Sequence, residues 1–392
     1  MLHWNTPDPD WRPRPAPTRD SIRFHRTMPG YAPTPLVELG ALARRLGVGG
    51  VLLKNESLRL GLPAFKVLGA SWAVCREMSR RQGREIADFA GLRDAVRGMR
   101  LCLVTATDGN HGRGVARVAR LLGLPCRVYV PADTVAARRE GIASEGAALT
   151  VVEGTYDGAV ACARDSCSTG DLLVQDTAWD GYASIPAMIV EGYATMFHEI
   201  DDELAARGAE GPDLVLVQIG VGSLAEAAAR HYRREGLARR PALVGVEPHD
   251  AACALEAVRA GKPVTLAGPH RSIMAGMNCG TVSAASLPVL RDAFDAFLTL
   301  GDDRAVEGMR LLASSGVTAG ETGAAGAGGL LELFAGEAFD ETRLRLRLSG
   351  ATRVLLINTE GATDPASYAA VVGPPGIPFV MPPPPSDITE NP

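Results

Sequence analysis

The chain has 392 residues, and its 40 Lys+Arg against 45 Asp+Glu leave a net charge of −5 with neutral His. That near balance excludes a nucleic-acid binder held by a basic surface, and no apolar run approaches the roughly 18–20 residues of a membrane span. Gly (44) and Pro (27) are abundant, yet the 46% hydrophobic content excludes disorder for most of the chain, and the length suits roughly two to three domain-sized units. The start, Met1-Leu2-His3-Trp4-Asn5, lacks the basic-then-apolar order of a secretory signal. Seven cysteines, odd in number and scattered through apolar stretches, read as reduced thiols of a cytosolic protein.

The first 30 residues carry Pro7, Pro9, Pro13, Pro15, Pro17 and Pro29 among many charges. They read as an irregular arm draped over the surface or over a partner subunit. Apolar runs follow at 51–54, 101–106, 126–130, 149–152, 172–175, 214–219, 243–246, 297–300 and 354–358. Most are continuous rather than alternating, which suits strands buried on both faces. Helical patterns cover 66–80, 113–122, 136–145, 157–168, 186–207, 224–235, 251–260 and 302–314. Strand followed by helix, many times over, predicts an α/β protein with parallel sheets, and nine strands in this length favour two sheets over one. The stretch 76–100 is highly charged and reads as a solvated helix and loop. From Gly373 to Pro392 the chain is proline-rich and reads as a polyproline or disordered tail.

Ligands of open parallel sheets bind beyond the carboxyl ends of the strands, so the glycines are most informative there. Gly220-Val221-Gly222-Ser223-Leu224-Ala225 follows the run 214–219 and opens a helix. Backbone N–H groups and the helix N-terminus make such a loop a phosphate cradle. The same loop matches G-x-G-x-x-A, and Glu247 ends the next strand, which is also the arrangement of a dinucleotide site with its acid on the ribose. Thr107-Asp108-Gly109-Asn110-His111-Gly112-Arg113-Gly114 packs Asp, Asn and His among three glycines at another strand end, more polar chemistry than a turn requires. Lys66 stands between Phe65 and Val67-Leu68 at a helix start; burial there would lower its pKa and make the amine a nucleophile for carbonyls. Gly320-Glu321-Thr322-Gly323 and Asn358-Thr359-Glu360-Gly361-Ala362-Thr363-Asp364 put Glu and Thr beside glycine, with helix capping as the plainer account of both.

Together these blocks, in this order from about Asn55 to Asp364, resemble the diaminopropionate ammonia-lyases of the tryptophan-synthase-β-like (fold type II) pyridoxal-phosphate enzymes. Further carriers of the likeness are Gln175-Asp176-Thr177-Ala178-Trp179, Gly192-Tyr193-Ala194-Thr195, Val246-Glu247-Pro248 and Ile273-Met274-Ala275-Gly276. The resemblance implies two parallel-sheet domains with the cofactor in the cleft between them: a large domain of residues 31–100 and 196–372 and a small one of 101–195. It implies pyridoxal 5'-phosphate held by Lys66 as an internal aldimine, its 3′-oxygen bonded by Asn110, and its phosphate cradled by Gly220, Val221, Gly222, Ser223 and Leu224. Thr359 looks like the partner of the pyridine nitrogen, while Asp108 and Asp176 look like the family's active-site acids, binding the substrate's second ammonium or moving protons. The implied reaction is loss of ammonia from 2,3-diaminopropionate to give pyruvate and a second ammonia, in a cytoplasmic homodimer acting on a small amino acid. Pro63, Leu224 in the phosphate loop and Arg117 after Val115-Ala116 depart from the usual family pattern, and the tail lies outside it.

Three other readings compete. A serine/threonine-type dehydratase or β-replacement enzyme would keep the cofactor and change the substrate. A nicotinamide-dependent oxidoreductase would use Gly220–Ala225 with Glu247. A catalytically silent binding protein on the same fold would leave Lys66, Asp108, Asn110 and Asp176 without purpose. The seven histidines show no paired spacing and no cysteine pair has a metal pattern, so no metal is expected.

Overall fold

The computed structural model describes residues 1–335 and 339–373. Its strands are β1 (Leu2–Trp4), β2 (Leu36–Glu38), β3 (Gly50–Asn55), β4 (Leu103–Ala106), β5 (Cys126–Pro131), β6 (Ala148–Val152), β7 (Leu172–Leu173), β8 (Leu214–Gln218), β9 (Ala242–Pro248), β10 (Ala296–Leu300) and β11 (Arg353–Asn358). Seven of them form one sheet in the order β1-β10-β9-β8-β11-β3-β2, and four form a second in the order β6-β5-β4-β7. Pairing is parallel throughout, except at the two edges of the larger sheet, where β1 joins β10 and β2 joins β3 antiparallel. The fold is therefore α/β with two parallel-sheet domains.

The nine continuous apolar runs are the nine parallel strands. Every residue of β4, β8 and β10 is buried, because helices cover both faces. Leu214, Val215, Leu216 and Val217 of β8 are fully buried, and each side chain contributes about 1.5–3 kcal/mol by leaving water. The exception is β6, mostly exposed at the edge of the smaller sheet.

The arm is not irregular throughout. β1 adds Leu2 opposite Leu298, and a helix at Asp20–His25 buries Ile22 and Phe24 completely. His25, also fully buried, bonds the Thr195 hydroxyl at 2.7 Å and donates from Nε2 to the Leu68 carbonyl at 3.0 Å. Prolines set the arm's composition, but single apolar anchors set its structure. The charged stretch holds the end of the helix Val67–Gln82 and a helix at Phe89–Val96, capped by the Asp88 carboxylate accepting from Gly91 N–H at 2.7 Å. The helix Glu321–Leu333 has no counterpart in the apolar periodicity, because its glycines are contact points: a Cβ on Gly328 would lie 2.5 Å from the Arg304 carbonyl oxygen on the neighbouring helix Asp302–Ser314. The Pro-rich tail lies outside the described residues apart from Gly373.

Behind β2 and β3 lies a buried ionic network. Arg59 forks onto Glu56 (2.6 and 2.8 Å) and reaches Glu199 (2.7 Å), while Lys54 donates to Glu199 and to the Thr34 carbonyl, both at 2.7 Å. These four charged side chains are at most 1% exposed. Burial alone would raise the Glu199 pKa, but the Arg59 and Lys54 cations hold it below the usual carboxylate range. The network fixes the chain just upstream of Lys66.

Candidate active site

Each candidate residue sits where a strand ends or a helix begins. Asp108 and Asn110 follow β4, and Asn110 opens the helix Asn110–Leu122. Asp176 follows β7, Gly220–Gly222 follow β8, and Thr359 follows β11. Lys66 immediately precedes the helix Val67–Gln82. All ten residues to which the resemblance gives a role, Lys66, Asp108, Asn110, Asp176, Gly220, Val221, Gly222, Ser223, Leu224 and Thr359, line one cavity of about 610 Å³ between the carboxyl ends of the two sheets.

The lysine is not the neutral amine that burial alone would make it. Lys66 Nζ donates to Asp176 Oδ2 at 2.8 Å, and the rings of Phe65 and Tyr193 lie 5.5 and 5.6 Å from it. Burial pushes its pKa down, but the Asp176 carboxylate, with Tyr193 and Asp108, outweighs burial and holds it above the ordinary lysine value. The expectation of a lowered pKa is corrected by this contact.

The two acids are also unequal. Burial works against the Asp176 carboxylate, yet nearby His111 and Lys66 hold it at about 2. At Asp108 burial prevails over the attraction of Arg138 and Lys66, so its carboxyl stands above the usual range. One carboxylate is firmly ionised and the other is easier to protonate, a separation suited to dividing acid and base work.

The glycine loop is shaped by conformation. Gly222 has φ +100°, caps the helix Ser223–Tyr232, and a Cβ there would lie 3.0 Å from the Ser286 Cβ. The Ser223 hydroxyl donates to the Asp176 carbonyl at 2.7 Å, tying the loop to the acid's own backbone. Asn110 Nδ2 donates to the buried Glu360 carboxylate, which also accepts from Thr322 N–H at 3.2 Å. Thr359 Oγ1 is buried without a hydrogen-bond partner.

A family model described as pyridoxal-phosphate dependent enzyme matches residues 27–360. The diaminopropionate ammonia-lyase of Salmonella typhimurium is 38% identical over 365 residues, 90% of this chain and 90% of the relative. The chain belongs to the diaminopropionate ammonia-lyase family. The solved Escherichia coli diaminopropionate ammonia lyase, in complex with an aminoacrylate-PLP azomethine reaction intermediate, is similar with a TM-score of 0.86 at 31% identity, covering 95% of this chain and 96% of that one. The L-threonine dehydratase of Mycobacterium leprae is 33% identical over 315 residues, covering 78% of this chain and 66% of its own.

The ammonia-lyase family's cofactor fits these residues. A half-buried lysine in the cavity offers the amine, a left-handed glycine and a helix start offer backbone donors for a phosphate, and Thr359 offers a hydroxyl that lacks a partner. The nicotinamide reading fails on Glu247. Its carboxylate is fully buried and accepts from Ala254 and Leu255 N–H at 2.8 and 2.9 Å, so it is committed to the start of the helix Cys253–Ala260. Capping is likewise the observed role of Asp364, which accepts from Ala366 and Ser367 N–H.

Some cavity residues were not legible in the sequence. Arg138, whose Nε has no partner, lies on the helix Ala136–Ala143, and nothing in that helix's pattern marks it. Tyr156, whose hydroxyl accepts from Gln175 Nε2 at 2.7 Å, opens the helix Tyr156–Asp165. His111, by contrast, was marked by its place in the Thr107–Gly114 block: it donates from Nε2 to the Val174 carbonyl at 2.7 Å and turns Nδ1 toward Asp176 at 3.7 Å, a contact that depends on β4 and β7 being neighbours. Outside the cavity lining, His198, Asp201 and His231 form one group of metal-ligand type among the described residues, but Arg234 takes up the Asp201 carboxylate at 2.7 Å.

Proposed function

We propose that this chain eliminates ammonia from 2,3-diaminopropionate, giving pyruvate and two ammonia. The observation that carries the reading is the contact between Lys66 Nζ and Asp176 Oδ2: a primary ammonium is bound at 2.8 Å beside a second acid, Asp108, in one cavity. A substrate with two ammonium groups gains from both carboxylates, whereas the neutral hydroxyl of serine or threonine gains less.

Pyridoxal phosphate, when bound, supplies the electron sink that acidifies the Cα–H bond of an amino acid joined to it. The residues of this chain do the rest. Lys66 would hold the cofactor through Nζ. Gly220, Val221, Gly222, Ser223 and Leu224 would bind its phosphate by backbone donors, Thr359 its ring nitrogen, and Asn110, with a second amide hydrogen to spare beyond Glu360, its ring oxygen. Lys66 Nζ removes the Cα proton of one stereoisomer and Asp108 that of the other. Asp176 binds the substrate ammonium that takes the place of the lysine's own, and Asp108 holds or delivers a proton for departing ammonia.

The reading includes domain limits of 31–100 with 196–372 and of 101–195; β4 to β7 fall within the second and the larger sheet within the first, except β1, which comes from the N-terminal arm. It also includes a cytoplasmic location, supported by seven free cysteines, and a homodimer, which light scattering tests. No helix among the described residues is long and apolar enough to cross a membrane. The test of the cofactor reading is spectral. Purified protein with pyridoxal phosphate should show the visible band of a lysine-bound cofactor, and Lys66→Ala should abolish it. Its persistence in that variant would contradict the assignment.

A further inference from the structure

We propose that Arg117, oriented by Glu145, is a positioning residue that sets where the Lys66 segment stands relative to the smaller-sheet domain, acting through the carbonyl of Leu60. The proposal rests on the reading of Lys66 as the cofactor-holding lysine. The helix Asn110–Leu122 carries the site residue Asn110 at its start and lies on the lysine segment. A Cβ on Gly114 would stand 2.9 Å from the Val67 nitrogen and 3.1 Å from the Lys66 carbonyl carbon. One turn further on, Arg117 Nη1 donates to the Leu60 carbonyl at 2.6 Å. The same guanidinium forks onto Glu145 through Nε and Nη2, at 2.6 and 2.8 Å.

Glu145 is 3% exposed, and Arg120 (3.2 Å) and Arg113 (3.8 Å) converge on it from the same face of the helix. Arg117 is thus held from behind by a buried carboxylate, and its one remaining donor edge points across to the lysine segment. A guanidinium suits that task because its fork is rigid.

The grip falls on a strained point. Arg59 and Leu62 exchange both backbone hydrogen bonds, at 2.8 and 2.9 Å, and the two residues between them, Leu60 and Gly61, have φ of +53° and +74°. Both central residues at positive φ define a primed hairpin turn, where Asn-Gly is usual and leucine is not. Leu60 is there because its side chain packs into the core that also holds Phe65 and Val67. Gly61 is fitted to the clasp, since a Cβ there would lie 3.3 Å from Arg117 Nη1. The large-sheet side holds the same segment through buried Arg59 and through Gly361 N–H donating to the Pro63 carbonyl at 2.8 Å. Arg117 is therefore a side-chain strut from the smaller-sheet domain to the turn, and its hydrogen bond, together with the close packing at Gly114, sets the distance between Lys66 and the Asp108–Asn110 loop.

The test compares holoenzyme and apoprotein of Arg117→Met, Arg117→Lys, Glu145→Gln and Leu60→Gly, with Leu60→Gly/Arg117→Met as the double variant. The readouts are kcat and KM for 2,3-diaminopropionate, the rate at which the lysine-bound cofactor band appears after pyridoxal phosphate is added to apoprotein, and the melting temperature. Arg117→Met should lower kcat and the rate of band appearance by about 10–100-fold, with a smaller effect on KM. Arg117→Lys should recover part of both, and Glu145→Gln should reproduce part of the loss. In the Leu60→Gly background, where the turn needs no holding, replacing Arg117 should cost less than about 3-fold. A lower melting temperature with wild-type kcat and band rate would overturn the proposal, as would an equal loss in both backgrounds. If Arg117→Met does not fold, Arg117→Lys and Glu145→Gln decide by the same criteria. Persistence of the band in Lys66→Ala would instead overturn the reading of Lys66.

Discussion

Asp176→Asn tests the electrostatics of the site at its strongest contact. The carboxylate is 6% exposed and lies 2.8 Å from Lys66 Nζ, which is 22% exposed. Its fall from 3.8 to about 2 is a preference for the ionised form on the order of 2–3 kcal/mol. Because the folded pKa is depressed, that contribution is present above the unfolded value and is lost only as pH falls through about 2; at neutral pH it is whole. Asparagine keeps an acceptor near Nζ but removes the charge. Lys66 then loses the chief influence that raises its pKa, while burial still lowers it. The rate of cofactor capture by apoprotein, followed by its visible band against pH, should therefore rise at neutral pH, its profile displaced to lower pH by roughly one to two units. Turnover of diaminopropionate should fall by about 10²-fold or more, since an ammonium site and a proton-transfer partner go together. A capture profile that stays in place or moves to higher pH would refute the argument, whatever the effect on turnover.

Four further outcomes follow from the geometry. Asp108→Asn should lose the turnover of one enantiomer more than the other while leaving the cofactor band in place, as chiral assays of remaining substrate would show. Gly222→Ala forces a side chain onto φ +100° and against Ser286, so unfolding titrations should show a loss of about 1–3 kcal/mol and dialysis a weaker hold on cofactor. Thr359→Ala should leave apoprotein stability nearly unchanged, because its hydroxyl has no partner to lose, yet should weaken cofactor retention. Glu199→Gln breaks the buried network around Arg59 and should cost about 3–5 kcal/mol in denaturant unfolding.

Much of the architecture was legible because parallel strands buried on both faces write themselves as continuous apolar runs, as Leu214–Gln218 does. The edges were not: β1 and β2 are three residues each, too short for a pattern. The helix Glu321–Leu333 was hidden because its glycines serve close packing rather than breaking the chain. In the site, motifs at strand ends located ten of the lining residues, since glycine, lysine and aspartate there have chemical reasons visible in one dimension. Charge state was not legible. That Asp176 raises the lysine pKa depends on a contact across 110 residues. Nor was the Arg117–Glu145–Leu60 clasp, whose partners come from three separate segments and meet only in the folded chain.

The central claim is that the two acids beside Lys66 select a substrate with a second ammonium. Purified holoenzyme given 2,3-diaminopropionate, serine and threonine at equal concentration should release pyruvate and ammonia in a 1:2 ratio from diaminopropionate, with far lower 2-oxo acid formation from the hydroxy amino acids. Rapid turnover of serine or threonine with diaminopropionate inert would contradict it.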